Sequence, residues 1–214
     1  MAAKHLVLVA GNIGAGKTSL VTQLGDRLGW RTGFETVETN PYLGKFYADM
    51  RSWAFHLQVF LLAQRSQLHL EAYRDPNSAI LDRSIYEDYY IFARALHSLG
   101  NLSPEDLETY SRVYELVIAS LPKPDLLIML KAPVPALLGR IQARGREMEA
   151  GITAEYLSLL DGYYDEWLSS FDLCPVLTIS SDDLDYVNDP AHLDIVIRTI
   201  EAKLTGRDEL IFDE

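Results

Sequence analysis

Hydrophobic residues along the chain fall into two kinds of stretch. Short aliphatic runs recur at His5 to Val9, Arg31 to Glu35, Ala79 to Leu81, Leu126 to Leu130 and Val176 to Ile179. Near-continuous apolar character over about five residues marks a strand buried on both faces of a parallel sheet. Between these runs, helical periodicity covers about 17 to 28, 45 to 73, 85 to 99, 104 to 121, 134 to 144, 153 to 170 and 190 to 204. Strands alternating with helices predict a doubly wound α/β fold, a five-stranded parallel sheet flanked by helices.

Local chemistry supports these boundaries. Asp75-Pro76-Asn77 ends the long second helix, and Ser103-Pro104-Glu105 reads as an N-cap with proline at the first helical position. Pro122 and Pro124 stop the fourth helix before its following strand. With no internal repeat, low-complexity tract or linker, one domain over residues 1–214 is expected, with an acidic, solvated tail from Arg207 to Glu214.

Charge narrows the partners. The chain has 214 residues with 31 acidic and 19 basic side chains, a formal net charge of −12 that repels nucleic-acid backbones and anionic membranes. Polymeric nucleic acid and membrane surfaces are therefore not expected partners, and any positive charge for phosphate must be local. No apolar run approaches the roughly 20 residues of a membrane span, and the apolar part of MAAKHLVLVAGN is too short for a secretory signal, so a cytoplasmic protein is expected. The single cysteine, Cys174, lies in the apolar run LCPVLTI and reads as a buried structural residue.

After the first strand stands Gly11-Asn12-Ile13-Gly14-Ala15-Gly16-Lys17-Thr18, followed by Ser19. It satisfies G-x-x-x-x-G-K-[ST] between strand and helix, the context that pattern requires. Glycines let successive backbone N–H groups turn inward around a phosphate, and the helix starting at Lys17 adds its positive end. Lys17 would reach the outer phosphates of ATP and Thr18 would offer its hydroxyl to Mg²⁺. The loop alone does not name a reaction, but no asparagine is followed by lysine, so the Asn-Lys-x-Asp guanine-reading motif is missing and a GTPase is disfavoured.

Ligands of open parallel sheets bind beyond the carboxyl ends of the strands. After the third strand come Asp82 and Arg83, an acid that suits Mg²⁺ and a cation that suits a phosphoryl group in flight. At the end of the second strand, Glu35 and Glu38 compete as acceptors of a hydroxyl proton, and chemistry alone does not choose between them. Trp53, Leu57, Gln58, Leu61 and Arg65 share one face of the long helix, where Gln58 and Arg65 need hydrogen-bond partners if buried. A planar heterocycle would satisfy Gln58. Arg140, Arg144 and Arg146 crowd around Gly145, with Glu147, Glu149 and Gly151 behind. Such crowding repels unless an anion arrives between the guanidiniums, as a lid over ATP phosphates would provide.

Together, GNIGAGKTSL, FETVETNPYLGKFY, WAFHLQVFLLAQR, LDRSIYEDYYIFA and RGREMEAGITAEYL, in order between residue 8 and about 168, resemble the deoxynucleoside kinase family. The NPYL-x-x-FY and DRSIYED forms look most like its bacterial deoxyadenosine/deoxyguanosine kinase branch. The resemblance implies a P-loop kinase fold with an arginine-rich helical lid at about 140–151. It also implies transfer of the ATP γ-phosphoryl group to a deoxynucleoside 5′-hydroxyl, with Mg²⁺, in a homodimer. It favours Glu35 over Glu38 as the base, puts Arg83 at the moving phosphoryl group, and gives Asp82 to Mg²⁺. Tyr47 and Glu149 are similar to the pair that grips the sugar 3′-hydroxyl. Gln58 would read the base edge between walls formed by Trp53, Phe92 and Leu57, with Arg65 and Asp88 alongside. Arg140, Arg144 and Arg146 match the cationic lid, and Asp185 and Tyr186 would lie against the adenine of ATP. Leu61 departs from the small residue of several animal relatives and narrows the pocket, which leaves deoxycytidine or deoxyadenosine preference open; the expected kinase leans towards deoxyadenosine. The competing functions are a nucleoside monophosphate kinase and an ATP-sensing module without turnover.

Overall fold

A computed structural model of the chain describes residues 4–35 and 40–206, apart from the side chain of Met148. Glu38 and the 207–214 tail lie outside the described residues. The strands are β1 (Leu6–Gly11), β2 (Arg31–Gly33), β3 (Ala79–Asp82), β4 (Leu126–Lys131) and β5 (Val176–Ser180). The helices are α1 (Lys17–Leu28), α2 (Leu43–Ala48), α3 (Met50–Arg74), α4 (Arg94–Ser98), α5 (Pro104–Ser120), α6 (Val134–Arg144), α7 (Ala154–Ser170) and α8 (Pro190–Leu204). The described strands form one sheet in the order β2-β3-β1-β4-β5, and every pairing is parallel. β1 is buried along its whole length.

Both faces of the sheet are covered, which explains the unbroken apolar runs. Leu6, Leu8 and Ala10 pack with residues of α3, α5 and α7, including Leu61, Tyr110 and Tyr164. Val7 and Val9 face the other way, against Leu20 and Val21 of α1, Leu137 and Ile141 of α6, and Val196 and Ile200 of α8. Ser103 accepts from the backbone N–H of Asp106 (3.1 Å) with Pro104 beginning α5, as its sequence predicts. Cys174 is half-buried, and its thiol is pushed up to about 12, first by burial and then by Asp125, which keeps it from acting as a thiolate.

Several predicted boundaries change. β1 begins at Leu6 rather than His5 and runs on to Gly11, because its pairing with β4 continues to Leu130. β2 stops at Gly33 rather than Glu35. It is an edge strand, and Gly33 sits so close to Leu81 that a Cβ there would lie 2.4 Å from that side chain. The helix expected over 45 to 73 is two helices. Asp49 leaves helical geometry (φ −151°, ψ 88°) and caps α3 by accepting from Ser52 N–H (3.1 Å). The segment expected as a helix over 85 to 99 winds as a π-helical turn at Asp88–Ala93 before tightening into α4.

Candidate active site

The corner after β1 demands glycine. Gly11 has φ 146°, and a Cβ there would lie 2.6 Å from the carbonyl oxygen of Leu130. Gly16 stands at the N-cap of α1 with φ 93°, leaving the first N–H groups of the helix open to an anion. Lys17 is buried and its Nζ folds over the loop, donating to the carbonyls of Gly11 (2.5 Å) and Asn12 (2.9 Å). Burial and then the charge of Arg83 push Lys17 down to about 8, against the opposing pull of Glu87 and Asp82. The Asn12 side chain faces α7, where Nδ2 donates to Leu157 O (2.9 Å) and Asp161 Oδ1 (2.5 Å). What Asn12 presents toward a phosphate is therefore backbone, not its amide.

Thr18 Oγ1 donates to Asp82 Oδ2 at 2.5 Å beside the loop. Among the described residues no group of three or more His, Cys, Asp or Glu side chains converges. One hydroxyl and one carboxylate suit Mg²⁺, which usually keeps its water and takes few protein ligands beside substrate phosphates. Next to Asp82, Arg83 is the non-glycine residue with positive φ (84°) among the described residues. A bulky residue in that region is held there against about 1–3 kcal/mol of strain. Its guanidinium stacks over Phe92 (4.6 Å) and approaches Glu35 Oε2 (3.7 Å).

Glu35 is held from two sides. Arg65, thirty residues later, donates to the same Oε2 at 2.9 Å and also pairs with the buried Asp88. Burial pushes the Glu35 carboxyl upward, but Arg65 and then Arg83 outweigh it and hold the group below its ordinary value, so it is ionised at neutral pH. Of the face predicted on the long helix, Leu57, Gln58, Leu61 and Arg65 are buried and Trp53 is half-buried. Gln58 is 3% exposed, and its Oε1 accepts no hydrogen bond among the described residues. Lys45 Nζ lies 4.5 Å from the Trp53 ring centre.

A cleft of about 900 Å³ joins Gly14, Gly16 to Ser19, Glu35, Asp82, Arg83, the three lid arginines, Glu149, Asp185 and Tyr186. Tyr47, Trp53, Leu57, Gln58, Arg65, Asp88 and Phe92 do not line it. Two of them touch residues that do: Arg65 pairs with Glu35, and Phe92 lies under the Arg83 guanidinium. In the lid, Arg140 donates to Ser181 Oγ (2.9 Å) and O (2.7 Å), while Arg144 (2.6 Å) and Arg146 (3.4 Å) reach Glu149. The arginines thus do not wait for an external anion, as their crowding suggested: the chain supplies Glu149, and Asp182 lies 3.5 Å from Arg140. Tyr47 on α2 is 40% exposed, and its phenol is raised by the partial burial that remains and then by the nearby charge of Glu149, with no hydrogen bond between them. The Asp185 carboxylate accepts from Asn188 in its own turn (3.0 Å to the backbone N–H), and Tyr186 is wedged near Gly16.

Two residues at the heart of the site escaped the sequence. Glu87 is fully buried and accepts from Ser84 N–H (2.6 Å) and Gly11 N–H (3.3 Å), and the Tyr164 hydroxyl lies 2.5 Å from its Oε1. The signal was present, because adjacent acids in the apolar run SIYEDYYIFA must find partners if the run is buried.

A family model described as deoxynucleoside kinase matches residues 7–205. The chain is 38% identical over 199 residues to the deoxyadenosine/deoxycytidine kinase of Bacillus subtilis (strain 168), covering 92% of each. It is 37% identical over 187 residues to the deoxyguanosine kinase of that organism, covering 85% of this chain and 88% of the relative. It also resembles the solved deoxyadenosine kinase from M. mycoides with products dCMP and a flexible dCDP bound. The TM-score is 0.81 at 27% identity, covering 92% of this chain and 99% of that one. The dATP-bound form of that enzyme superposes with a TM-score of 0.80.

Proposed function

The chain belongs to the deoxynucleoside kinase family, and from that premise we propose that it transfers the γ-phosphoryl group of ATP to the 5′-hydroxyl of a deoxynucleoside, deoxyadenosine above all. The observation that carries the mechanism is the ionised Glu35 carboxylate, held by Arg65 and Arg83 at the junction of phosphate cleft and helix α3. There it accepts the 5′-hydroxyl proton as the oxygen attacks phosphorus. Lys17, Arg83 and the lid residues Arg140, Arg144 and Arg146 spread the charge that develops on the phosphoryl oxygens.

The backbone from Gly11 to Ser19 cradles the ATP phosphates, and Asp185 and Tyr186 border its adenine. Thr18 and Asp82 hold Mg²⁺, which neutralises phosphate charge when bound. Tyr47 and Glu149 receive the sugar 3′-hydroxyl. Gln58 reads the base between Trp53, Leu57 and Phe92, beside the Arg65–Asp88 pair. Its buried, unpartnered Oε1 needs a donor, and the 6-amino group and ring nitrogen of adenine match an amide with one donor and one acceptor. Leu61, buried on the same helix face, leaves the shape of the pocket to decide between the bases.

We further infer one kinase domain over 1–214, with phosphate loop 11–18 and lid about 140–151, acting as a homodimer. Exposed Leu99, Val113 and Leu116 offer apolar contact area for a second copy, and light scattering after size exclusion checks it. A cytoplasmic location follows from the proposed donor, the cell's ATP pool. Among the described residues no helix is long and apolar enough to cross a membrane.

Coupled ADP release tests the reaction with deoxyadenosine, deoxyguanosine, deoxycytidine and thymidine, and with each monophosphate. Deoxyadenosine is expected to give the highest kcat/KM. Release only with monophosphates would mean a nucleoside monophosphate kinase, and acceptor-independent binding without ADP a sensor.

A further inference from the structure

We propose that Glu87 is a positioning residue that ties the turn carrying Arg83 to the corner of the phosphate loop. The inference rests on the role proposed for Arg83. That arginine has left-handed backbone geometry (φ 84°), a conformation that persists in a bulky residue only when its surroundings impose it. The amide of Arg83 itself donates to Val9 O at 2.9 Å. The next amide, Ser84 N–H, donates to Glu87 Oε2 at 2.6 Å, so the peptide that follows Arg83 is fixed by this carboxylate.

The other carboxylate oxygen reaches the phosphate loop. Glu87 Oε1 accepts from Gly11 N–H at 3.3 Å and lies 2.5 Å from the Tyr164 hydroxyl, which in turn is 2.9 Å from Gly11 O. Both oxygens are therefore engaged, one by each of the two loops whose side chains meet a transferring phosphoryl group. A fully buried carboxylate is unfavourable without such partners and compensating charge. The charge is at hand: Glu87 favours the charged forms of both Arg83 and Lys17, opposing the burial that disfavours them. Tyr164 belongs to α7, the helix directly after the lid, so the same cluster anchors three parts of the site.

A structural filler and a positioning residue predict different kinetics. Glu87→Gln keeps size and shape while removing the charge and one acceptor. The expected result is a kcat lowered about 30-fold, with KM for ATP and deoxyadenosine within about threefold, as for an interaction strengthened in the transition state. In an Arg83→Ala background the same substitution should cost less than about threefold, because residues that act as a unit are not additive. Multiplying effects, or a Glu87→Gln kcat within about twofold of the parent, would overturn the proposal. Should Glu87→Gln fail to fold by thermal melting, Tyr164→Phe removes one bond from the same carboxylate. It should lower kcat about fivefold, again only when Arg83 is present, and independence from Arg83 would overturn the proposal equally. An Arg83→Ala enzyme of full activity would sink the role of Arg83, and that of Glu87 with it. A parent protein that releases no ADP with any deoxynucleoside would instead sink the reaction itself.

Discussion

The floor and the roof of the cleft are built from different bonds. In and beneath the floor, Lys17, Asn12 and Glu87 are buried and bonded mainly to backbone: Lys17 to Gly11 and Asn12, Asn12 to Leu157, Glu87 to Gly11 and Ser84. In the roof, Arg144 and Arg146 are 35% and 52% exposed at the side chain and are held by the single carboxylate of Glu149. Buried hydrogen bonds to fixed backbone pre-organise donors at no cost during reaction, whereas exposed ion pairs exchange readily in water. An incoming polyphosphate therefore finds the floor in place and has to compete with Glu149 for the roof.

The largest effect should come at the seam between them. Glu35→Gln is expected to lower kcat about 10³-fold while ATP still raises the melting temperature. Near-normal turnover would remove Glu35 as the base.

Next is pH. Lys17 is charged below about 8 and neutral above it, so kcat/KM for ATP should fall about tenfold per pH unit above 8. The Glu35 carboxyl lies below its ordinary 4.5, so the acid limb should appear only below pH 4.5. An alkaline limb near 10 would mean that Lys17 is not desolvated.

Asn12→Ala sharpens the comparison from the floor. It removes the buried amide that donates to the Leu157 carbonyl and Asp161 and should destabilise by about 1–3 kcal/mol, with KM for ATP raised about fivefold. The smallest effect belongs to the roof, where Arg146→Ala should change stability by less than about 0.5 kcal/mol and KM for ATP by about threefold. Equal losses of stability from the two, read by thermal melting, would erase the distinction between floor and roof.

Legibility followed the range of the interactions. The phosphate loop could be read because its glycines and Lys17 lie within eight residues, and α5 because Ser103 caps through a residue three positions on. Asp49 was equally local, an N-cap followed by Ser52, and was missed because helical periodicity continues on both sides of it. The π-helical turn at Asp88–Ala93 and the roles of Glu87 and Tyr164 left only a weak trace, two acids in an apolar run. The family resemblance gave Glu149 to the sugar 3′-hydroxyl, but its hold on Arg144 and Arg146 depends on how the short 147–149 turn folds back toward α6.

By itself the sequence determined the alternation of strand and helix, the phosphate loop and the identity of the charged groups, because each depends on spacing over a few residues. Only the tertiary structure decided which charge answers which: Arg65 to Glu35 across 30 residues, and Glu87 to Gly11 across 76. Coulomb and hydrogen-bond energies depend on distances set by the packed sheet, and local pattern carries no record of those distances.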